Sequence, residues 1–170
     1  LTDKHVNLSK TNLIKGFNVM SIRGIVYTID NILCITKIDA ISEVVQGITP
    51  TPIPLTKDWL VGTIQLRGNI VPVTDILKLS NPSIVNRSLE QHKNNILIIQ
   101  DNDWQYGIKV NKLMGIRAIH AEVQDATVFP PEFAGLPELV QGMYEIDEGY
   151  LYNINLTKLI HNSSFMHPEL

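Results

Sequence analysis

Short apolar runs separated by turn-forming pairs constrain this chain more than any other feature of its sequence. It holds 23 Ile and 13 Val, most of them in such runs, while Ala-rich stretches are nearly absent. A β-branched side chain crowds the preceding turn of a helix but packs well on a pleated sheet, so the pattern predicts a mostly β protein. Ile25 to Ile29 and Ile32 to Thr36 flank Asp30-Asn31 and read as a hairpin. Ile38, Ile41 and Val44 or Val45 recur at spacing three or four, which predicts one helical turn before a strand near Glu43 to Ile48. Pro50, Pro52 and Pro54 then favour extended, unpaired chain.

The stretch from Trp59 to Leu79 is the most legible. Ile64 and Leu66 alternate with polar neighbours, Arg67-Gly68-Asn69 makes a tight turn, and Ile70 to Val73 returns as a strand. Asp75 reads as an N-cap for the turn Ile76 to Leu79, because its carboxylate accepts free amides of the first turn. Residues 80–95 are polar and predict a crossing loop. Ile96 to Gln100 and Trp104 to Val110 form another hairpin around Asp101-Asn102-Asp103. Residues 1–20 read as an N-terminal extension in which Leu13, Ile14 and Phe17 form one face of a short helix.

The same grammar occurs twice. At an offset of 72, Val110, Leu113 and Ile116 repeat the spacing of Ile38, Ile41 and Val44. At an offset of 80, Gly62 meets Gly142, Leu66 meets Ile146, Val71 meets Leu151, Asp75 meets Asn155 and Leu79 meets Leu159. Two halves of similar strand order predict two small barrels built alike. The first is expected at about 21–80 and the second at about 95–160, with exchange of chain at their ends and a tail at 161–170.

Size and charge narrow the function. A chain of 170 residues, 44% hydrophobic and 18% charged, buries a real core. Its net charge of -3 and few aromatics argue against nucleic acid as a partner. No apolar run approaches the roughly 18 residues of a membrane span, so no direct membrane insertion and a cytoplasmic location are expected. The single Cys34 lies in the run Ile32 to Ile35 and reads as a small buried hydrophobe. There is no glycine-rich phosphate loop and no nucleophile elbow. The five histidines are scattered, Asp101 and Asp103 fit a turn better than a calcium loop, and Glu145, Asp147 and Glu148 read as a solvated acidic turn. Neither catalysis nor a cofactor or metal is expected.

What remains is surface. Arg67 stands on a hairpin tip beside Gly68, where a missing side chain lets another backbone approach. By position alone Arg67 reads equally well as an interface anchor or as a solvated turn residue. Ile41, Val44 and Val45 flank Glu43 in a run too apolar to lie wholly in water, part core and part contact patch.

The run WLVGTIQLRGNIVPVTDILKL, residues 59–79, resembles the signature of CheW-like domains, with Gly62, Leu66, Arg67, Gly68, Pro72 and Asp75 matching. ILCITKIDAISEVV (32–45), YGIKVNKLMGI (106–116) and PPEFAGLPELVQGMYEIDEGYLYNINLTKLI (130–160) are similar to further parts of that pattern. The resemblance implies two packed five-stranded SH3-like β-barrels with short helical turns and a C-terminal helix. It also implies a non-enzymatic adaptor that couples methyl-accepting chemoreceptors to a CheA-type histidine kinase, recruited to receptor arrays at the inner membrane. Ile41, Glu43 and Val44 would face the kinase, and Arg67 in its turn with Gly68 and Asn69 would serve receptor–kinase assembly. Receptor contacts would lie in the groove between the barrels. Gly62, Leu66, Pro72, Asp75, Gly142 and Asn155 would be structural. The alternatives are a regulatory module of a larger kinase or a CheV-like protein and, from another class, a nucleic-acid-binding barrel. Gln65 replaces the usual Asn and Asn111 the usual Asp, which removes a carboxylate that would pair with a partner's cation. The Lys57-Asp58-Trp59 lead-in is similar to that of adaptors linked to pili and twitching motility.

Overall fold

The computed structural model describes residues 19–84, 94–124 and 129–170. The expected helix face of Leu13, Ile14 and Phe17 and the middle of the 80–95 loop lie outside the described residues. Val19 and Met20, the last two of the expected extension, already belong to a strand.

Among the described residues, ten strands form two five-stranded sheets. β1 (Val19–Ile29), β2 (Ile32–Lys37), β8 (Leu113–Gln124), β9 (Val140–Ile146) and β10 (Gly149–Ile154) close a barrel in the order β1-β2-β10-β9-β8. β3 (Ile41–Gln46), β4 (Leu60–Leu66), β5 (Asn69–Thr74), β6 (Asn95–Asp101) and β7 (Trp104–Val110) form the second sheet in the order β3-β6-β7-β5-β4. Both sheets share one plan, each with a single parallel pairing, β2 with β10 and β5 with β7. The offset of 80 lays β4 and β5 over β9 and β10, and the offset of 72 lays β3 over β8.

Three expectations need correction. The barrels are not the sequence halves 21–80 and 95–160: β1 and β2 leave the first half to complete the barrel of β8, β9 and β10, while β3 to β7 run consecutively. The exchange therefore involves a whole hairpin. Hairpins are local, but which edge a hairpin docks on is decided by long-range burial that local spacing does not carry. Second, the sheet of β3 to β7 has no β3–β4 ladder among the described residues, and only the bridge Thr51↔Thr63 spans that gap. Pro50, Pro52 and Pro54 follow β3 and have no N–H to offer, which limits pairing there to the residues between them. Third, the spacing of Val110, Leu113 and Ile116 marks no helical turn. Leu113 opens a twelve-residue strand in which Ile119, Ala121 and Val123 are half-buried and His120, Glu122 and Gln124 exposed. That period of two was readable; Gly115, at φ 85, breaks it upstream.

Other readings stand. The turn after β2 is the 3-10 turn Ile38–Ala40. Asp75 caps α1 (Ile76–Ser80), its Oδ1 accepting from the amides of Leu77 and Lys78 at 3.2 Å each. At the equivalent place Asn155 Oδ1 accepts from the Thr157 amide and opens the 3-10 helix Leu156–His161. The C-terminal helix is this 3-10 segment followed by a single turn, α2 (Ser163–Met166).

Among the described residues, three apolar clusters form the core. Ile22, Val26, Ile35, Tyr144 and Leu151 fill the closed barrel, and Val45, Ile64, Val71, Val73, Ile96 and Ile98 fill the second sheet. The largest lies between them. Ile25, Tyr27 and Ile29 from one side meet Leu97, Ile99, Tyr106 and Ile108 from the other. β6 is consequently buried on both faces from Asn95 to Ile99. Cys34 lies fully buried in this central cluster, and burial pushes its thiol pKa up, so it stays protonated. Tyr106 Oη donates to Leu156 O at 2.7 Å, a hydrogen bond from the second sheet to the segment that follows β10.

Candidate partner-binding surface

The β4–β5 hairpin turns on two residues, Arg67 at φ 49 and Gly68 at φ 85. Two successive left-handed residues give a turn whose twist matches that of the flanking strands. Gly accepts this conformation freely and Arg does so at some cost. A side chain at Gly68 would meet nothing within 4 Å, so its role inside this molecule is its backbone angle and no close approach. Asn69 and Ile70 follow on the exposed start of β5.

The near-closure of the second sheet brings this turn beside β3. Arg67 Nη2 lies 3.3 Å from Glu43 Oε2, with the Arg side chain 80% exposed and the Glu 31%. Glu43 shares a face with Val45, which enters the core of the second sheet, and so sits at the rim of that core. Val44 points the other way and is exposed at 36%. Ile41 is half-buried against the central cluster, so much of its side chain is committed to the core. Of the six expected contact residues, the structure brings Glu43 to the Arg67-Gly68-Asn69 turn, while Val44 is exposed on the opposite face of β3 and Ile41 is drawn toward the core. Ile70, 74% exposed beside the turn, belongs with them and was not singled out from sequence. Its signal was parity: Val71 and Val73 face inward, so Ile70 faces out.

The expected structural residues have physical reasons. At Gly62, φ is 147, and a Cβ there would overlap the carbonyl of Thr51, the residue that bridges the open side of the sheet. Gly142 is less demanding: a Cβ would stand 3.0 Å from the Val123 side chain, which can yield. Leu66 packs against the inner cluster of the second sheet. Pro72 pairs with Thr63 of β4 and precedes the short β5–β7 ladder at Val73 and Thr74, so its missing N–H breaks no bond to β7. Asn111 Oδ1 accepts from the Asp30 amide at 2.6 Å, and Asn95 Nδ2 donates to Asn111 O at 2.6 Å. This position ties the β1–β2 turn to the end of β7, an internal role in place of one toward a partner's cation.

The closed barrel repeats the arrangement with charges reversed. Arg117 of β8 hydrogen-bonds Glu148 in the β9–β10 turn, and the carboxyl is held below its ordinary pKa chiefly by that bond. Glu145 accepts from Gln124 Nε2 at 3.3 Å. The acidic turn expected to be solvated is therefore partly tied to β8.

The description CheW-like domain matches this sequence over residues 23–164. The chain belongs to the CheW-like domain family. A chemotaxis protein CheW from Thermotoga maritima is 25% identical over 147 residues, covering 86% of this chain and 89% of that one. The crystal structure of the scaffolding protein TtCheW from Thermoanaerobacter tengcongensis superposes with a TM-score of 0.69 at 23% identity, covering 85% of this chain and 96% of that one. At that identity the likeness speaks for the fold, and it agrees with a mostly β, SH3-like architecture.

Proposed function

We propose that this CheW-like protein is a non-enzymatic chemosensory adaptor that bridges a CheA-type histidine kinase and methyl-accepting chemoreceptors in the cytoplasm. One observation carries the reading: β3 and the β4–β5 turn present a charged pair, Glu43 and Arg67, with Ile70 exposed next to the turn and Val44 exposed on the outer face of β3. An Arg anchor with apolar neighbours is the composition found at the energetic centre of protein interfaces. Holding two partners on one body raises their local concentration without new chemistry.

The test is co-assembly. Arg67→Glu should leave circular dichroism unchanged and weaken capture of kinase and receptor fragments by about thirtyfold or more, equivalent to ~2 kcal/mol. Glu43→Lys should act mainly on kinase capture. Wild-type capture by a folded Arg67→Glu chain would remove that residue from the interface.

A further inference from the structure

The last eight residues, expected to be a tail, are seated. Phe165 of α2 stacks on Trp59 with ring centroids 5.9 Å apart and meets Tyr106 edge-on at 5.1 Å. Beyond α2 the chain runs extended along residues 55–57. Lys57 N donates to Pro168 O at 2.8 Å, Leu170 N to Leu55 O at 3.3 Å, and Thr56 bridges Glu169 antiparallel. Lys57 Nζ adds a bond to His167 O at 3.1 Å. The family match ends at residue 164, so Phe165 and the residues after it lie beyond the matched span, while the residues that seat them lie within it.

The seat is imperfectly filled. On one side of the strap a mainly apolar cavity of about 200 Å3 is walled by Trp59, Leu60, Pro72, Trp104 and Phe165. Thr74, in the same wall, is 1% exposed, and its hydroxyl has no hydrogen-bond partner among the described residues. On the other side a cavity of about 520 Å3 is lined by Lys57, Lys78, Leu79, Ser164 and Leu170. Leu55, whose carbonyl receives the strap, holds φ 61, a conformation a branched side chain rarely adopts. A groove with one unsatisfied hydroxyl, unfilled space on both flanks and a strained rim suits an exchangeable occupant better than a permanent one.

We propose that Ser163–Leu170 is a strap lying in a peptide-docking groove beside the second sheet, and that an extended partner segment with an aromatic anchor and a following acidic residue displaces it. The strap itself defines that chemistry. Its aromatic ring fills the Trp59–Tyr106 site, its backbone adds to the 55–57 edge as in strand addition, and Glu169 bridges Thr56 next to Lys57 with its carboxylate 3.3 Å from His167 Nδ1. A tethered strap is an intramolecular competitor at millimolar effective concentration, so it hides the groove from weak ligands and yields to a tighter one. The groove is distinct from the Glu43–Arg67 surface and does not depend on the adaptor reading.

The experiment uses the 170-residue chain and the synthetic peptide Asn-Ser-Ser-Phe-Met-His-Pro-Glu-Leu, which copies residues 162–170. Phe165→Ala in the protein unseats the strap, and this variant should bind the peptide about tenfold more tightly than the intact chain, with the shifts centred on the Lys57 amide. A peptide carrying Ala in place of its Phe should not bind. Glu169→Lys in the protein, an exposed change that leaves the aromatic contacts in place, should act in the same direction and more weakly, which covers the case in which Phe165→Ala does not fold. Absence of peptide binding to both protein variants would overturn the proposal. So would a concentration-dependent dimer formed by strap exchange without peptide binding, because the groove would then belong to a second copy of this chain.

Discussion

Gly62 and Gly68 show how one residue type meets two different demands six positions apart along a single hairpin. At Gly62 the backbone is left-handed and a Cβ would overlap the Thr51 carbonyl. At Gly68 only the angle is special. Gly62→Ala should therefore cost about 3 kcal/mol, and Gly68→Ala about 1 kcal/mol. Urea unfolding of both variants checks the ranking, and equal losses would mean that the Thr51 crossing does not constrain the sheet. Both glycines were visible in the sequence as parts of one motif. Their different reasons were not, because Thr51 reaches Gly62 from eleven positions away and nothing local announces it.

At the scale of elements, the hairpins were readable and the partnerships were not. Turn pairs such as Asp30-Asn31 and Arg67-Gly68 fix a hairpin within about ten residues. The repeat at offset 80 even matched the caps Asp75 and Asn155, since both halves solve the same problem of starting a helical segment after a strand. β8 was missed because Gly115 interrupts its alternation and because its partner β1 precedes it by some ninety residues. The candidate surface divided in the same way: Arg67 and Glu43 stood out separately, while their contact depends on the near-closure of the second sheet.

β8 and the β9–β10 turn are joined by Arg117 and Glu148, and this tie can be read by titration. The Glu148 carboxyl is depressed chiefly by the hydrogen bond from Arg117. A depressed carboxyl stabilises the fold at pH above its unfolded value, and that contribution is lost as pH falls through its folded one. Carboxyl NMR should show a Glu148 midpoint below the ordinary value of about 4.3, and Arg117→Ala should return it there. A midpoint that ignores the Arg117 substitution would break the assignment. Because the pair is exposed, its loss should scarcely move stability at neutral pH.

For the molecule as a whole, interleaving is the consequential feature. The closed barrel is built from residues on both sides of β3 to β7, and the two sheets share the central cluster through β1 and β6. Neither sheet can be exposed without stripping the other of its largest apolar face. A single cooperative transition is expected, with the calorimetric and van't Hoff enthalpies equal. Two resolved transitions in scanning calorimetry would show that the barrels are energetically separate.

The central claim is that Arg67 and Glu43 face a partner and do not merely pair with each other. An exposed pair of this kind contributes at most about 1 kcal/mol to stability, so charge changes there should read out in binding and leave the fold intact. The decisive measurement is calorimetric titration of a kinase regulatory fragment with the double variant Glu43→Arg/Arg67→Glu, which restores an internal pair while reversing what the surface presents. Affinity lower by about tenfold or more than that of the unmodified chain is the expected result. Recovery of full affinity by the charge swap would contradict the account, because it would show that the pair acts only within this molecule.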